Sequence, residues 1–246
     1  MSKTNEKLPK ITMTIKSQKR LLKDVAGIMK NNLSDQGIFY VHDENNFLNG
    51  YAMIFGPEKT PYENGIYFFN LKFPYDYPFS PPKLTYLTND GKTRFNPNLY
   101  RNGKVCLSIL NTWKGEQWTS CQTIRSVLLT LVTVLNENPL TNEPGINMKN
   151  PQVSTYNKII RYKNFSVAIN SVLEQKLFPD THVVFFPIIK NFIRDKKENI
   201  LSLIKEEIET GSKGELSCSI YSMNSIKLNY KDVLKKFENI CGFLNI

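Results

Sequence analysis

In the run IYFFNLKF, Tyr67, Phe69, Leu71 and Phe73 fall to one side of an extended chain while Asn70 and Lys72 fall to the other. A period of two with one apolar face predicts a strand that packs on helices through that face. GIFYVHDE, YAMIFG and KLTYLT are β-rich runs of the same kind, separated by turn chemistry at Asn49-Gly50, Gly56-Pro57 and Asn64-Gly65. Together they predict a four-stranded antiparallel meander. Before it, Leu21, Leu22, Val25, Met29 and Leu33 recur at helical spacing and predict an amphipathic helix. A second helix is predicted after Trp118, where Thr119 and Gln122 fit a capping box and Ile124, Val127, Leu128, Leu131, Val134 and Leu135 form an apolar stripe. The pattern is that of an α+β fold.

Three further stripes predict an α-helical extension over residues 151–246. They run Tyr156, Ile159, Ile160, Val167, Ile169, Val172; then Ile189, Phe192, Ile193, Ile200, Ile204, Ile208; then Tyr230, Val233, Leu234, Phe237, Ile240, Cys241, Leu244. Breaks fall at Pro179, Pro187 and the GSKG turn at Gly211 to Gly214. The organisation expected is a flexible N-terminus over 1–9, a core over 10–150, and this extension, packed on the core or continuous with it. A chain of 246 residues, 41% hydrophobic, is long enough for one sizeable core with an appended lobe.

Composition narrows the function classes. No run reaches the eighteen or so apolar residues of a membrane span, and MSKTNEKLPK lacks the apolar stretch of a secretory signal. We therefore expect a soluble protein of a reducing compartment, cytoplasmic and nuclear, with no membrane partner. The four cysteines Cys106, Cys121, Cys218 and Cys241 show no C-x-x-C spacing, and the only histidines are His42 and His182. This speaks against a structural zinc site and against a Cys-His nucleophile pair, so neither metal nor cofactor is expected. The net charge of +10 raises nucleic acid as a partner, but the basic residues are dispersed and no nucleic-acid motif accompanies them. One cluster stands out: Lys16, Lys19, Arg20 and Lys23 lie against the apolar stripe of the first helix.

The chemistry is concentrated in RFNPNLYRNGKVCLSIL, where Asn98 and Cys106 are eight residues apart. A thiol can carry an acyl group as a thioester, and a carboxamide N–H can stabilise the oxyanion formed when that thioester is attacked. An ordinary thiol, with a pKa of about 8.5, is a few per cent thiolate near neutrality, enough for exchange with an activated thioester. Upstream, FPYDYPFSPPKLTYLT interleaves Pro74, Pro78, Pro81 and Pro82 with aromatics, the composition of a rigid packed loop.

This order resembles the ubiquitin-conjugating enzymes, whose signature is F-P-x-x-Y-P-F-x-P-P-K, a His-Pro-Asn turn, and G-x-[IV]-C-L-x-I-L around the thioester cysteine. The resemblance covers about residues 10–145 and is greatest to the Z-type members, which share Phe-Asn-Pro-Asn and the continuation N-E-N-P…N-E-P-G. It implies the ubiquitin-conjugating (UBC) fold and an enzyme that accepts ubiquitin or a ubiquitin-like modifier on Cys106 from an activating enzyme. The modifier would pass to a lysine of a protein substrate, usually with a ubiquitin ligase. Asn98 would be the oxyanion donor, and Asn96 would take the loop-shaping place of the histidine. Glu143 best matches the family's acidic gate residue, with Glu137 the alternative. Lys16, Lys19, Arg20 and Lys23 would dock the activating enzyme, and Phe79 with the loop around Ser120 would receive ligases. The stretch NTWKGEQ before Trp118 is longer than in minimal members and would enlarge the loop beside the cysteine. A catalytically silent ubiquitin-binding variant would lack the cysteine, so Cys106 argues against that reading.

Overall fold

The protein is described here as a computed structural model covering residues 12–246, so the N-terminal segment 1–9 lies outside the described residues. Helix α1 (Ile15–Lys30) starts at Thr14, whose hydroxyl accepts the Ser17 N–H. Its buried positions are Ser17, Leu21, Val25 and Ile28. Leu22 and Met29, expected in the stripe, are 55% and 65% exposed because they sit one residue, about 100° of helix, off this line. The small Ser17 hydroxyl is buried without penalty because Thr14 donates to it.

Strands β1 (Ile38–His42), β2 (Asn49–Phe55), β3 (Ile66–Lys72) and β4 (Lys83–Tyr86) form an antiparallel sheet in the order β1-β2-β3-β4. Asn49-Gly50, expected as a turn, instead begins β2 and pairs with Lys72 and Leu71 of β3. Glycine is required there by close approach, since a Cβ at residue 50 would meet the Tyr40 ring across the strand pair. The turn before it is built by Asp43, whose carboxylate accepts the Asn45 and Asn46 N–H groups.

Both faces of the sheet are buried, against the expectation of one. Ala52, Ile54, Tyr67, Phe69, Leu71 and Tyr86 share one core with α1 and with α2 (Ile124–Val134). On the opposite face Met53, Phe55, Ile66 and Phe68 share a second core with Ile189, Ile193, Ile200, Tyr230, Val233 and Phe237. The polar positions Asn70 and Lys72 occupy only the far end of β3, beyond that second core. Helix α2 is capped by Thr123 and Ser126, not by Thr119 and Gln122. The latter pair closes a separate turn through the Gln122 N–H and the Thr119 carbonyl.

The second core is supplied by α4 (Phe186–Glu209) and α5 (Tyr230–Leu244). They follow α3 (Gln152–Lys163), which continues as a π-helix over Asn164–Ser171. Asn164 accepts a hydrogen bond from Tyr67 at 2.6 Å and donates to the Glu63 carbonyl at 2.8 Å. Gly65 is what admits Asn164, because a Cβ at residue 65 would fall 1.9 Å from its Oδ1. Further ties are the stacked Phe55 and Phe192 rings, 3.7 Å apart, and the Asn64–Asn199 hydrogen bond. The extension is not wholly helical. Strands β5 (Lys213–Cys218) and β6 (Met223–Asn229) form a hairpin between α4 and α5, and the expected GSKG break leads directly into it.

Candidate functional site

The segment from Arg94 to Val105 is shaped by Asn96. Its Oδ1 accepts the Asn98 N–H at 2.9 Å, and its Nδ2 donates to the Tyr62 hydroxyl and to the Val134 carbonyl at the end of α2. The side chain thus makes the turn and anchors it to a helix, the kind of local bonding for which asparagine is suited. Past the turn the chain doubles back at Gly103, where φ of 84° and the nearby Tyr86 carbonyl leave room only for glycine. Thr85 bridges to Lys104, so the returning arm runs beside β4.

That return sets Cys106 against Asn98. The Cys106 N–H donates to the Asn98 carbonyl at 2.9 Å, and Asn98 Nδ2 donates to the Cys106 carbonyl at 2.7 Å. Asn98 is buried and its Oδ1 accepts no hydrogen bond among the described residues. Cys106 is 2% exposed, whereas Cys121 is on the surface and Cys218 and Cys241 are buried elsewhere in the two cores. On the far side of Cys106, the Leu107 N–H donates to Thr112 Oγ1 at 3.0 Å. The Thr112 hydroxyl in turn lies 3.3 Å from the Val105 carbonyl, so one threonine braces the peptides flanking the thiol. Thr112 belongs to the longer stretch before Trp118, most of which is exposed.

Glu143 is half-buried on the turn that follows Asn142. Asn142 Nδ2 donates to the Val134 carbonyl at 2.9 Å and approaches Asn96 Oδ1 at 3.4 Å, so this turn is fastened to the one that carries Asn98. The Glu143 carboxylate itself accepts a hydrogen bond from the Tyr221 hydroxyl at 2.5 Å. Glu137, the alternative acid, is exposed.

The basic cluster divides. Lys16, Lys19 and Lys23 are exposed on α1, but Arg20 is engaged within the fold. Its Nε pairs with Asp24 at 3.1 Å, and its two terminal nitrogens donate to the Ser120 and Gln122 carbonyls. Asp24 also accepts the Tyr77 hydroxyl. Phe79 is 76% exposed, and its segment is tied to the one that leads to Ser120, since Trp118 Nε1 donates to the Pro78 carbonyl at 2.7 Å. Sequence reasoning missed Thr112 and Tyr221. Neither lies in a motif, and Tyr221 is 78 residues from the acid it touches.

Among the described residues there is no group of three or more His, Cys, Asp and Glu side chains that could hold a metal ion. Among them, too, no helix is long and apolar enough to cross a membrane.

Comparison with known proteins agrees with this geometry. Residues 20–164 match the family model described as ubiquitin-conjugating enzyme. The chain is 43% identical over 161 residues to ubiquitin-conjugating enzyme E2 Z of Danio rerio, spanning 64% of this chain and 48% of that protein. It is 42% identical over 160 residues to ubiquitin-conjugating enzyme E2 Z of Homo sapiens, spanning 64% of this chain and 45% of that protein. A probable ubiquitin-conjugating enzyme protein 17 of Caenorhabditis elegans is 36% identical over 208 residues, spanning 79% of this chain and 28% of that protein. The chain therefore spans about half the length of the vertebrate relatives it matches. With the match covering more than half of the chain and the loop of Asn98 and Cys106 inside it, the chain belongs to the ubiquitin-conjugating enzyme family.

Proposed function

We propose that this chain is an active conjugating enzyme that carries ubiquitin or a ubiquitin-like modifier on Cys106. The observation that supports this most is the reciprocal pair of hydrogen bonds between Asn98 and Cys106 within the family-matched loop. In charging, the Cys106 thiolate attacks the thioester carbonyl held by the activating enzyme. A new C–S bond forms, the old one breaks, and the activating enzyme's thiolate leaves. In discharge, a lysine amine attacks the Cys106 thioester, the C–N bond forms, the C–S bond breaks, and the thiolate takes up the proton the amine loses.

The second step is harder, because a lysine of pKa about 10.4 is neutral only about once in 2,500 molecules at pH 7. Two groups are assigned to it. One N–H of Asn98 Nδ2 is used by the Cys106 carbonyl, and the other is the donor for the developing oxyanion. Glu143 is the acidic group assigned to orient and deprotonate the amine.

The partner surfaces follow from exposure and charge. Lys16, Lys19 and Lys23 are the cations free to meet an activating enzyme, and Phe79 with the loop at Ser120 is the surface assigned to ligases. All four cysteines are free thiols, which fits work in the reducing cytoplasm and nucleus, a placement that imaging of a tagged chain would test. The deciding experiment incubates the chain with a panel of activating enzymes, ubiquitin and ubiquitin-like modifiers. A reductant-sensitive adduct is expected for at least one pair. No adduct with any member of the panel would overturn the proposal.

A further inference from the structure

The tip of the C-terminal hairpin meets Arg101 and Glu143, although it follows the family-matched segment by more than fifty residues. Its turn, Ser219–Tyr221, is closed by Ser222 in the left-handed region at φ of 50°, and its flanks Cys218 and Met223 are buried in the core shared with α1 and α2. Three attachments hold the tip independently of any acid. The Ser219 N–H donates to Gln152 Oε1 at 3.1 Å, Arg101 donates to the Tyr221 carbonyl, and the Tyr221 ring packs edge-on against Tyr156 at 5.8 Å. Arg101 stands between Asn98 and Cys106 in sequence, so the loop that carries both is bonded to the hairpin.

From this fixed position the Tyr221 hydroxyl reaches the Glu143 carboxylate at 2.5 Å. Burial first, and then the Glu143 carboxylate, push the phenol above its ordinary value, so it stays a donor over the whole range in which the enzyme would work. A carboxylate on an exposed turn normally samples several rotamers, and one held by a rigid phenol does not. We propose that Tyr221 is a positioning residue that holds the Glu143 carboxylate in place for the incoming lysine amine, so that the C-terminal extension completes the acyl-transfer site. This rests on the reading of Cys106 as thioester carrier and Glu143 as its acid.

The test is single-turnover discharge of the full chain, preloaded with the modifier that charges it, to free lysine and, separately, to hydroxylamine. Hydroxylamine is already neutral at pH 7, so it needs no deprotonation before it attacks and depends far less on an acid to align it. Tyr221→Phe keeps the ring contacts and loses only the hydroxyl. It should lower the maximal lysine rate about tenfold or more, since small misplacements of a catalytic group carry such costs. Its hydroxylamine rate should stay within about twofold of the parent, as expected when only alignment is lost. In a Glu143→Gln background, adding Tyr221→Phe should change the lysine rate by no more than about twofold, because the two act as one unit. Glu143→Asp, which keeps the charge but draws back from Tyr221 by one methylene, should be slow as well and gives a test that leaves the hairpin untouched. Normal lysine discharge by Tyr221→Phe or by Glu143→Asp, or full additivity of the double variant, would overturn the inference and leave the thioester reading standing. Failure of the parent chain to charge at all would overturn both.

Discussion

Asn98 Nδ2 donates to the Cys106 carbonyl at 2.7 Å while the Cys106 N–H donates to the Asn98 carbonyl at 2.9 Å, so each residue fixes the other. Asn98 therefore has a structural duty as well as the proposed one toward the oxyanion. The two separate by step. Removal of the carboxamide leaves a buried carbonyl unpaired, at a cost of about 1–3 kcal/mol, which should appear as a lower melting temperature. Asn98→Ala should still charge, but its discharge to lysine should fall by about 10² to 10³, the usual loss for one oxyanion donor. Charging and discharge that fall together would reduce Asn98 to a brace.

Only a thiol exchanges rapidly with an incoming thioester. Cys106→Ala should abolish the reductant-sensitive adduct, and Cys121→Ala should leave it intact because that side chain lies on the surface. Cys218→Ala and Cys241→Ala should also charge, though with lower stability, since each empties space in a packed core. An adduct on gels of the Cys106 variant would contradict the assignment.

The division of the basic cluster gives two different phenotypes. Reversing Lys16 and Lys23 to Glu should slow charging several-fold at low salt, with the difference shrinking as salt is added, and should spare discharge from preloaded enzyme. Arg20→Ala should instead lower the melting temperature and weaken ligase-dependent transfer, because its guanidinium holds the Ser120 and Gln122 carbonyls. Equal effects of the lysine and arginine variants on charging would show that Arg20 also faces the activating enzyme.

Periodicity made most of this fold legible. The alternation in IYFFNLKF placed β3, and the motif around Asn98, Gly103 and Cys106 marked the candidate site. Some of its errors were local, such as the cap read at Thr119 instead of Thr123, and others arose where a partner distant in sequence decided the outcome. Leu22 reads as core but lies one residue off the buried line of Ser17, Leu21, Val25 and Ile28. Ile66 and Phe68 look like ordinary strand residues until α4 and α5 cover them. The β5–β6 hairpin has few buried positions to give it a period, and what it does is set by Tyr221, whose partner Glu143 is invisible to local pattern.

Burial of the second sheet face bears on truncation. Ending the chain at Gly145 would uncover Met53, Phe55, Ile66 and Phe68 together and strip the buried Tyr67 hydroxyl of Asn164. Each such side chain contributes about 1.5–3 kcal/mol through burial, and a contiguous apolar patch of this kind promotes association. The truncated protein should aggregate or bind hydrophobic dyes on size-exclusion and fluorescence assays. A soluble, cooperatively melting monomer would show that what remains of the core shared with α1 and α2 suffices.

The same interface makes stability depend on pH. His182 is fully buried, its Nε2 3.3 Å from the Phe69 carbonyl and its ring against Tyr51, Phe68 and Phe185. Burial lowers its pKa from 6.5 to about 4, so the folded state holds it neutral while the unfolded chain binds a proton below about pH 6.5. The unfolded state then carries more protons, and stability falls as pH drops from about 6.5 toward 4. Between pH 7 and pH 5 this one group should remove about 2 kcal/mol. His42 is lowered in the same direction by burial and adds to the slope, so the comparison must be with a variant. In urea titrations, His182→Leu should lose less stability than the parent over this interval, by about that amount, whatever its stability at pH 7. Parallel pH profiles for the two proteins would mean that the imidazole is reached by solvent, and that the packing of α4 and its preceding turn on the sheet is looser than the buried ring indicates.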